Sequence, residues 1–333
     1  MSGQKKGKKV KEAGCGCSED NMEKELFMAA LEAELREQAA GNESLRFFDY
    51  RKNNGITKKA ISVKFEGSVP APTFYPEEYF DNFLQGETVE HLASALLEKA
   101  RSSRITGGMD LDFWKDYEKV KPGLSVKLIG YEKNCRLLEE IPYEKIEDMA
   151  AVFYYVLQDP QVHNATILIY NSHLKIWNIT AETLCADAFR NAARTMPARI
   201  LSLREILGMD IYNTAGPEEN EQPDNKQNGR DGEAPEETMY VLSNSRSMFG
   251  AACMLYPDVL KNFADRKQSS LYILPSSIHE VILMPDDGNR DSAELQQMVS
   301  EINRTEVSAE EVLTDSVYYY DRQCGEMKCL SHP

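Results

Sequence analysis

The sequence has no hydrophobic run of the length that a membrane-spanning helix requires. Such a helix needs about 20 apolar residues, and the most apolar stretch of this chain, Ala150–Leu157, is far shorter. The chain also has no Walker A loop and no G-x-G-x-x-G motif, the glycine patterns that hold phosphate groups against a helix N-terminus. We therefore predict no membrane span, no nucleotide site and no other cofactor.

Net positive charge is also absent, because 54 acidic side chains outnumber 38 basic ones and leave a formal charge of -16. An acidic body repels a phosphate backbone, so nucleic-acid binding by the folded part is not expected. The exception is a basic N-terminal segment before Glu12, which contains Lys5, Lys6, Lys8, Lys9 and Lys11. We predict that residues 1–18 form a disordered basic tail, the one part of the chain that suits an acidic partner.

The N-terminal lysines are not followed by the apolar core of a secretory signal. The chain has seven cysteines, an odd number, and three of them sit inside apolar segments. This pattern is typical of reduced thiols in a cytoplasmic protein and not of a disulfide framework.

The cysteines near the two ends form short pairs. Cys15 and Cys17 make a C-x-C pair, and Cys324 and Cys329 make a C-x4-C pair close to His332. If the ends of the chain met, these thiolates could bind zinc in a tetrahedral site. Their spacing is not that of a zinc finger or ribbon, so we predict no metal and keep a metal-stapled protein as an alternative.

The composition changes between residues 217 and 237, where eight residues are acidic, two are basic and none is a branched aliphatic. Such a stretch cannot bury enough apolar surface to offset the entropy of ordering it. We predict an acidic flexible linker over 213–238. It joins an N-terminal α+β part (19–212) to a C-terminal α+β part (239–322) packed on the first, and a flexible tail follows over 323–333.

Local patterns predict both helices and hairpin-linked strands. The Asn53-Asn54-Gly55 sequence suits a tight hairpin turn, because Asn and Gly tolerate positive φ angles. Thr88 is placed to cap a helix, and Ser202 with Glu205 has the spacing of a capping box. The apolar positions from Tyr143 to Gln158 fit a helical period and predict a helix. The expected fold is α+β, a mixed and largely antiparallel sheet with packed helices in a single large unit carrying the acidic insertion.

The most enzyme-like cluster is Ser276, Ser277, His279 and Glu280. A serine nucleophile needs a histidine within hydrogen-bond reach and a carboxylate that orients the histidine. In a strand, Ser277 and His279 would share a face while Glu280 points the other way. A Pro-Ser-Ser turn followed by a histidine at a strand edge explains the same residues without catalysis.

Several strings resemble an uncharacterised family, a domain of unknown function found mainly in gut-dwelling Gram-positive bacteria. The strings are K-N-N-G at 52–55, L-I-G-Y-E-K-N at 128–134, G-A-A at 250–252 with Y-P-D-V-L at 256–260, and L-P-S-S-I-H-E at 274–280. The resemblance spans about residues 43–322 and leaves out both cysteine-bearing ends. It implies that the two halves occur together as one unit, and it implies no activity.

Three hypotheses for function follow from the sequence. The first is a non-catalytic protein that works by binding, with another protein as its partner, because a helix near the N-terminus has Phe27, Leu31 and Leu35 at amphipathic spacing. The second is a hydrolase or transferase that uses Ser276 or Ser277 with His279. The third is the metal-stapled protein. The sequence indicates no oligomeric state.

Overall fold

The computed structural model describes residues 17–66, 73–103, 112–157, 165–206 and 238–330. These residues divide into two compact units at Met109/Asp110, and the short segment Lys52–Ile56 belongs to the second unit. The predicted basic tail and the predicted acidic linker lie outside the described residues, apart from residues 17 and 18 and Thr238.

The first unit contains one small sheet and the helices that bury one of its faces. Its helices are α1 (Cys17–Gln38), α2 (Phe80–Leu84) and α3 (Val89–Ser102), and its strands are β1 (Glu43–Arg51), β2 (Thr57–Phe65) and β3 (Thr73–Phe74). The strand order is β1-β2-β3, and both pairs are antiparallel. Phe27, Leu31 and Leu35 of α1 are buried in the core together with residues of β2 and α3. The four-residue spacing of these α1 side chains therefore marked the buried face.

The hairpin and the helix cap that the local patterns predict are both present. Asn54 and Gly55 have φ angles of 59° and 69°, the left-handed conformation that the tight turn between β1 and β2 requires. The Thr88 hydroxyl accepts a hydrogen bond from the backbone N–H of His91 at the start of α3.

The second unit contains seven α-helices and ten strands among the described residues. The helices are α4 (Tyr117–Val120), α5 (Cys135–Leu138), α6 (Asn171–Trp177), α7 (Ala181–Thr195), α8 (Leu203–Ile206), α9 (Val259–Lys267) and α10 (Ser292–Thr305). The strands are β4 (Leu124–Gly130), β5 (Tyr143–Ile146), β6 (Met149–Val156), β7 (Thr166–Leu168), β8 (Ala198–Ser202), β9 (Tyr240–Asn244), β10 (Leu271–Pro275), β11 (Val281–Pro285), β12 (Tyr318–Asp321) and β13 (Glu326–Cys329).

Two antiparallel sheets organise the second unit. In one sheet β6 pairs with β4, β5 and β7, and the other sheet has the order β13-β12-β10-β11-β9-β8. The Ser202–Glu205 capping box is formed, since the Ser202 N–H donates to the Glu205 carboxylate and the Glu205 N–H donates to Ser202 Oγ. The predicted α+β class with largely antiparallel sheets is confirmed. None of the described helices combines the length and the apolar composition that a membrane crossing requires.

The helix predicted from Tyr143 to Gln158 is wrong, because this segment forms strands β5 and β6. In an almost wholly apolar run every position fits any period, so the helical spacing carried no information. β6 is flanked by strands on both sides and buried on both faces, and a central strand of this kind reads as a continuous run of apolar residues.

The segments on either side of the predicted acidic linker form part of one sheet. β8, before the linker, pairs with β9, after it, in the register Ala198↔Asn244 to Ser202↔Tyr240. The boundary between the compact units lies near residue 110 and not at the linker. The expectation of a flexible tail from 323 is also corrected, because Glu326–Cys329 form β13 against β12.

A nearly buried carboxylate, Asp187 of α7, stabilises the second unit. It accepts hydrogen bonds from the Tyr117 hydroxyl at 2.8 Å and from Arg190 at 2.7 Å, and Lys121 Nζ lies 3.1 Å from it. Burial acts to raise the pKa of Asp187, but these three donors outweigh it, and the pKa lies below the ordinary value of 3.8. The burial and the lowered pKa make Asp187 a source of pH-dependent stability.

We expect Asp187→Asn to flatten the acid limb of the stability profile. A depressed pKa gives stability that is complete above about pH 4 and is lost as the pH falls through the lower pKa of the folded state. Between pH 4 and pH 2 the free energy of unfolding should therefore fall more steeply in the wild type than in the variant. Urea titrations at each pH measure both values. The control is Asp49→Asn, which removes an exposed pair with Lys59 and should change little. Parallel profiles for wild type and Asp187→Asn would contradict this role.

Candidate functional site

The structure places the predicted serine–histidine cluster in the turn between β10 and β11, and not on a strand. The Ser277 hydroxyl accepts a hydrogen bond from the backbone N–H of His279, 3.0 Å away, and the Ser277 N–H donates to the Glu280 carbonyl. These bonds close a local turn.

The His279 imidazole is held by other groups. Its Nδ1 accepts the backbone N–H of Phe249 at 3.1 Å, and its ring stacks on the Phe249 ring with 5.4 Å between centroids. Because Nδ1 accepts a bond, Nε2 carries the proton of the neutral ring, and it lies 3.7 Å from the Glu311 carboxylate. Within the described residues no hydroxyl or thiol is hydrogen-bonded to this imidazole, so the hydroxyl–imidazole contact that a serine nucleophile needs is not present there.

The cysteines of the metal alternative are only partly described. Cys324 is exposed in the turn before β13, and Cys329 lies in that strand and is partly exposed. Cys15 lies outside the described residues, and the Cys17 side chain does too. Across the described ranges no group of three or more His, Cys, Asp and Glu side chains is arranged to hold a metal ion. The metal-stapled alternative through all four thiols stays a prediction.

A different group stands out in the first sheet of the second unit, the lysine of the sequence L-S-V-K-L-I-G. Lys127 is the one charged residue of β4, and every other residue of this strand is buried. Its side chain is half-buried, and its Nζ lies over the Phe249 ring, 4.9 Å from the centroid. Within the described residues, Lys127 makes no ion pair with a carboxylate and no hydrogen bond through Nζ.

Burial removes the Lys127 ammonium from water and lowers its pKa from 10.5 to about 8. The positive charge of Lys52 also lowers the pKa of Lys127. The attraction between the ammonium and the ring face is about 0.5–2 kcal/mol, less than the cost of burying an unpaired charge. A half-buried lysine of this kind is a frequent feature of functional sites.

Phe249, which covers Lys127, is held in a strained conformation. Its φ and ψ angles are 54° and 31°, and Ser247 of the same loop also has a positive φ, 51°. Conformations of this kind cost about 1–3 kcal/mol each in a residue with a side chain and persist only where the surroundings enforce them. Asn244 does so here, since its side-chain oxygen accepts the N–H groups of Arg246 and Met248 and its amide donates to the Met248 carbonyl.

Two buried hydroxyl groups lie on the same sheet face as Lys127. Ser125 and Lys127 alternate along β4, and Tyr154 of β6 is the direct register partner of Ser125, so all three side chains share a face. Ser125 Oγ and Tyr154 Oη are buried and have no hydrogen-bond partner of normal geometry among the described residues. Burial raises the pKa of Tyr154 to about 12, an effect that the nearby Ser125 hydroxyl partly offsets. The Tyr154 ring also packs edge-on against Phe249, at 5.1 Å.

We call Lys52, Ser125, Lys127, Tyr154 and Phe249 the Lys127 centre. It combines a basic amine, two unpaired hydroxyls and an aromatic cover. A serine next to a lysine of lowered pKa can act as a nucleophile in other proteins, but here Ser125 is 1% exposed. An outside substrate cannot reach Ser125 Oγ, whereas Lys127 keeps accessible surface.

Two cavities lie away from Lys127, one in each compact unit. A cavity of about 1010 Å³ in the first unit lies beside α1, β1 and β2, but its Lys24 pairs with Glu77 and its Lys59 with Asp49. A cavity of about 510 Å³ in the second unit is lined by α9 and β12 residues and by Arg322, which pairs with Asp265. In both, the basic groups named here already have acidic partners, so we place the candidate site at Lys127.

None of the residues of the Lys127 centre was predicted from the sequence as a site residue. The available signal was a lone lysine inside a strand of otherwise apolar or small residues, which is unexpected for a side chain that is almost never fully buried without a partner. Its aromatic cover comes from residue 249, beyond the acidic segment, and only the tertiary structure joins the two.

Comparison with known proteins identifies a family but no activity. No curated protein and no solved structure matches the chain significantly. A family model does match, over residues 24–322, which is most of the chain and includes both compact units. The chain therefore belongs to the family of unknown function DUF5688.

Proposed function

We propose that the protein acts by binding, and that the Lys127 centre takes the carboxylate or phosphate group of a small anionic ligand. The observation that supports this most strongly is the Lys127 ammonium, half-buried in an acidic chain without an acidic partner among the described residues. Removing a charge from water is costly unless an opposite charge or hydrogen bonds replace the water. An anionic ligand supplies that opposite charge.

The surroundings of Lys127 also favour an anion. Lys52 is close enough to act electrostatically on Lys127, so two positive charges act on one place in a protein of net charge -16. Like charges brought together repel one another, and an anion between them removes this repulsion. The fixed ring of Phe249 gives the ligand a rigid wall, because its backbone is held by the bond to His279.

Titration with inorganic phosphate and with acetate tests this proposal. We expect a saturable change in the amide resonances of Phe249 and its neighbours in the wild type, weaker at higher ionic strength because salt screens the charges. Lys127→Met keeps most of the length of the side chain and removes its charge, so the saturable change should disappear in this variant. Anion binding also stabilises the folded state by mass action, so phosphate should raise the melting temperature of the wild type and should not raise that of Lys127→Met.

The matched control is Lys145→Met. Lys145 lies on β5, in the same sheet, and its Nζ also lies over an aromatic ring, that of Tyr131, at 4.2 Å, but Lys145 is exposed. This variant should bind phosphate and acetate as the wild type does. Equal saturable binding by Lys127→Met and wild type, or no saturable binding by the wild type, would contradict the proposal.

We also propose a protein partner, the other part of the binding hypothesis, on the basis of the exposed face of α1. Met22 and Leu26 lie one turn apart on α1 and are 59% and 67% exposed. Exposed apolar side chains on one helix face are typical of helices that dock on another protein.

A further inference from the structure

We propose that the ligand of the Lys127 centre is a 2-oxo acid, and that Lys127 Nζ captures its carbonyl carbon as a reversible imine. This inference rests on the proposed function and deepens it, because it names the chemical class of the anion. A 2-oxo acid carries a carboxylate next to a ketone, and the centre offers one group suited to each of them.

The first step concerns the amine. An amine attacks a carbonyl only in its neutral form, and a carboxylate neighbour would hold the proton on nitrogen. The Lys127 amine has no carboxylate neighbour among the described residues, and Lys52 opposes its protonation. With a pKa of about 8, roughly a quarter of the amine is neutral at pH 7.5, against about a thousandth for an ordinary lysine. Desolvation next to a second cation is a known way to activate a lysine for imine formation.

The second step concerns the surroundings of the amine. The Phe249 ring covers Lys127 at 4.9 Å, and its strained backbone is fixed by the bond from its N–H to His279 and by the Asn244 side chain that organises the preceding loop. Imine formation releases water, and an apolar wall at the nitrogen disfavours the return of that water. Lys127 also keeps some accessible surface, unlike Ser125 and Tyr154, and this surface is the side from which a small ketone would approach.

The third step concerns the carboxylate. Once the amine is neutral, it no longer attracts an anion, whereas the positive charge of Lys52 still acts on this position, and that of Arg246 acts on the neighbouring Tyr154. The neutral amine therefore suits the ketone, and the cation suits the neighbouring carboxylate. A ketone without a carboxylate would lack the second attraction, and a hydroxy acid would lack the bond to nitrogen.

The chemistry is balanced without another reactant. The nitrogen lone pair of Lys127 forms a bond to the ketone carbon, and the C=O π electrons move to oxygen, which takes up a proton. The resulting carbinolamine loses this oxygen as water, with the second proton coming from nitrogen, and a C=N bond remains. Ketone and amine give imine and water, and nothing is oxidised or reduced.

Borohydride trapping with three probes tests the proposal on the full chain. The probes are pyruvate (a 2-oxo acid), lactate (its hydroxy counterpart) and acetone (a ketone without a carboxylate), and peptide mass spectrometry locates the reduced adduct. We expect pyruvate to modify Lys127 preferentially, with about tenfold more adduct than acetone gives at the same concentration. Lactate should give no adduct but should slow the acylation of Lys127 by acetic anhydride. Lys127→Met should lose the preferred adduct, and Lys145→Met should keep it.

The outcomes separate this proposal from the proposed function. If pyruvate and lactate both protect Lys127 from acylation but no adduct forms at Lys127, anion binding stands and the imine is overturned. If neither acid protects Lys127 and no adduct forms there, both proposals fail. Adduct spread evenly over exposed lysines, or an equal yield with acetone and pyruvate, also overturns the imine with a 2-oxo acid.

Discussion

Gly250→Ala is expected to lower the free energy of unfolding by about 3 kcal/mol or more. Gly250 opens the 3-10 turn Gly250–Leu255, directly after Phe249. A Cβ atom at this position would lie 2.2 Å from Ser243 Oγ, 2.6 Å from the His279 carbonyl oxygen and 2.7 Å from the Asn244 backbone nitrogen. Two of these three atoms are backbone atoms of β9 and of the turn before β11, so they cannot move aside as a flexible side chain would.

The matched control is Gly41→Ala, because a Cβ atom at Gly41 would have no atom within 4 Å. Urea denaturation of both variants measures the difference. Gly250→Ala should also weaken anion binding, since a shift of residue 250 moves the Phe249 ring that covers Lys127. Equal stability of the two glycine variants would contradict the close approach of these segments.

Asp148→Ala is expected to cost about 3 kcal/mol of stability. The Asp148 carboxylate accepts hydrogen bonds from the hydroxyls of Thr314 at 2.6 Å and Ser316 at 2.8 Å, and from the hydroxyl of Tyr318. Tyr318 is fully buried, and burial and the Asp148 charge raise the pKa of this phenol, which therefore stays protonated as a donor. Removing the carboxylate leaves a buried hydroxyl without an acceptor, which is more costly than losing a bond at the surface.

A double-mutant cycle separates this effect from general disruption. Tyr318→Phe removes the buried donor, so Asp148→Ala should cost markedly less in a Tyr318→Phe background than in the wild type. Urea denaturation of the four proteins gives the coupling energy. A loss below about 1 kcal/mol for Asp148→Ala, or additive effects of the two changes, would show that this hydrogen-bond cluster does not stabilise the second unit.

Features that depend on neighbouring residues could be predicted from the sequence. The turn at Asn54–Gly55, the Thr88 cap and the Ser202–Glu205 box form where the patterns placed them, because each is decided by bonds within a few residues. The helix predicted over 143–158 failed for the opposite reason. Whether an apolar run becomes a central strand depends on partner strands elsewhere in the chain, here β4, β5 and β7.

The candidate site shows the same limit. The sequence directed attention to Ser276, Ser277 and His279, which are neighbours in the chain, but the hydrogen bonds of Ser277 and His279 close a turn and hold Phe249. Lys127 acquires its properties from a loop more than a hundred residues away in the sequence, whose geometry depends on Asn244 and on two positive φ angles. No periodicity or spacing predicts such a contact.

The titration of Lys127 tests most directly the claim that its amine lacks an acidic partner. Carbon-13 NMR of lysine-labelled protein, with the Lys127 signal assigned by its loss in Lys127→Met, follows the ionisation of this one side chain. We predict a midpoint near pH 8, with the proton lost as the pH rises between about 7 and 9. A midpoint at the ordinary value of 10.5 would mean that the ammonium is solvated or paired, and it would contradict both the anion site and the imine.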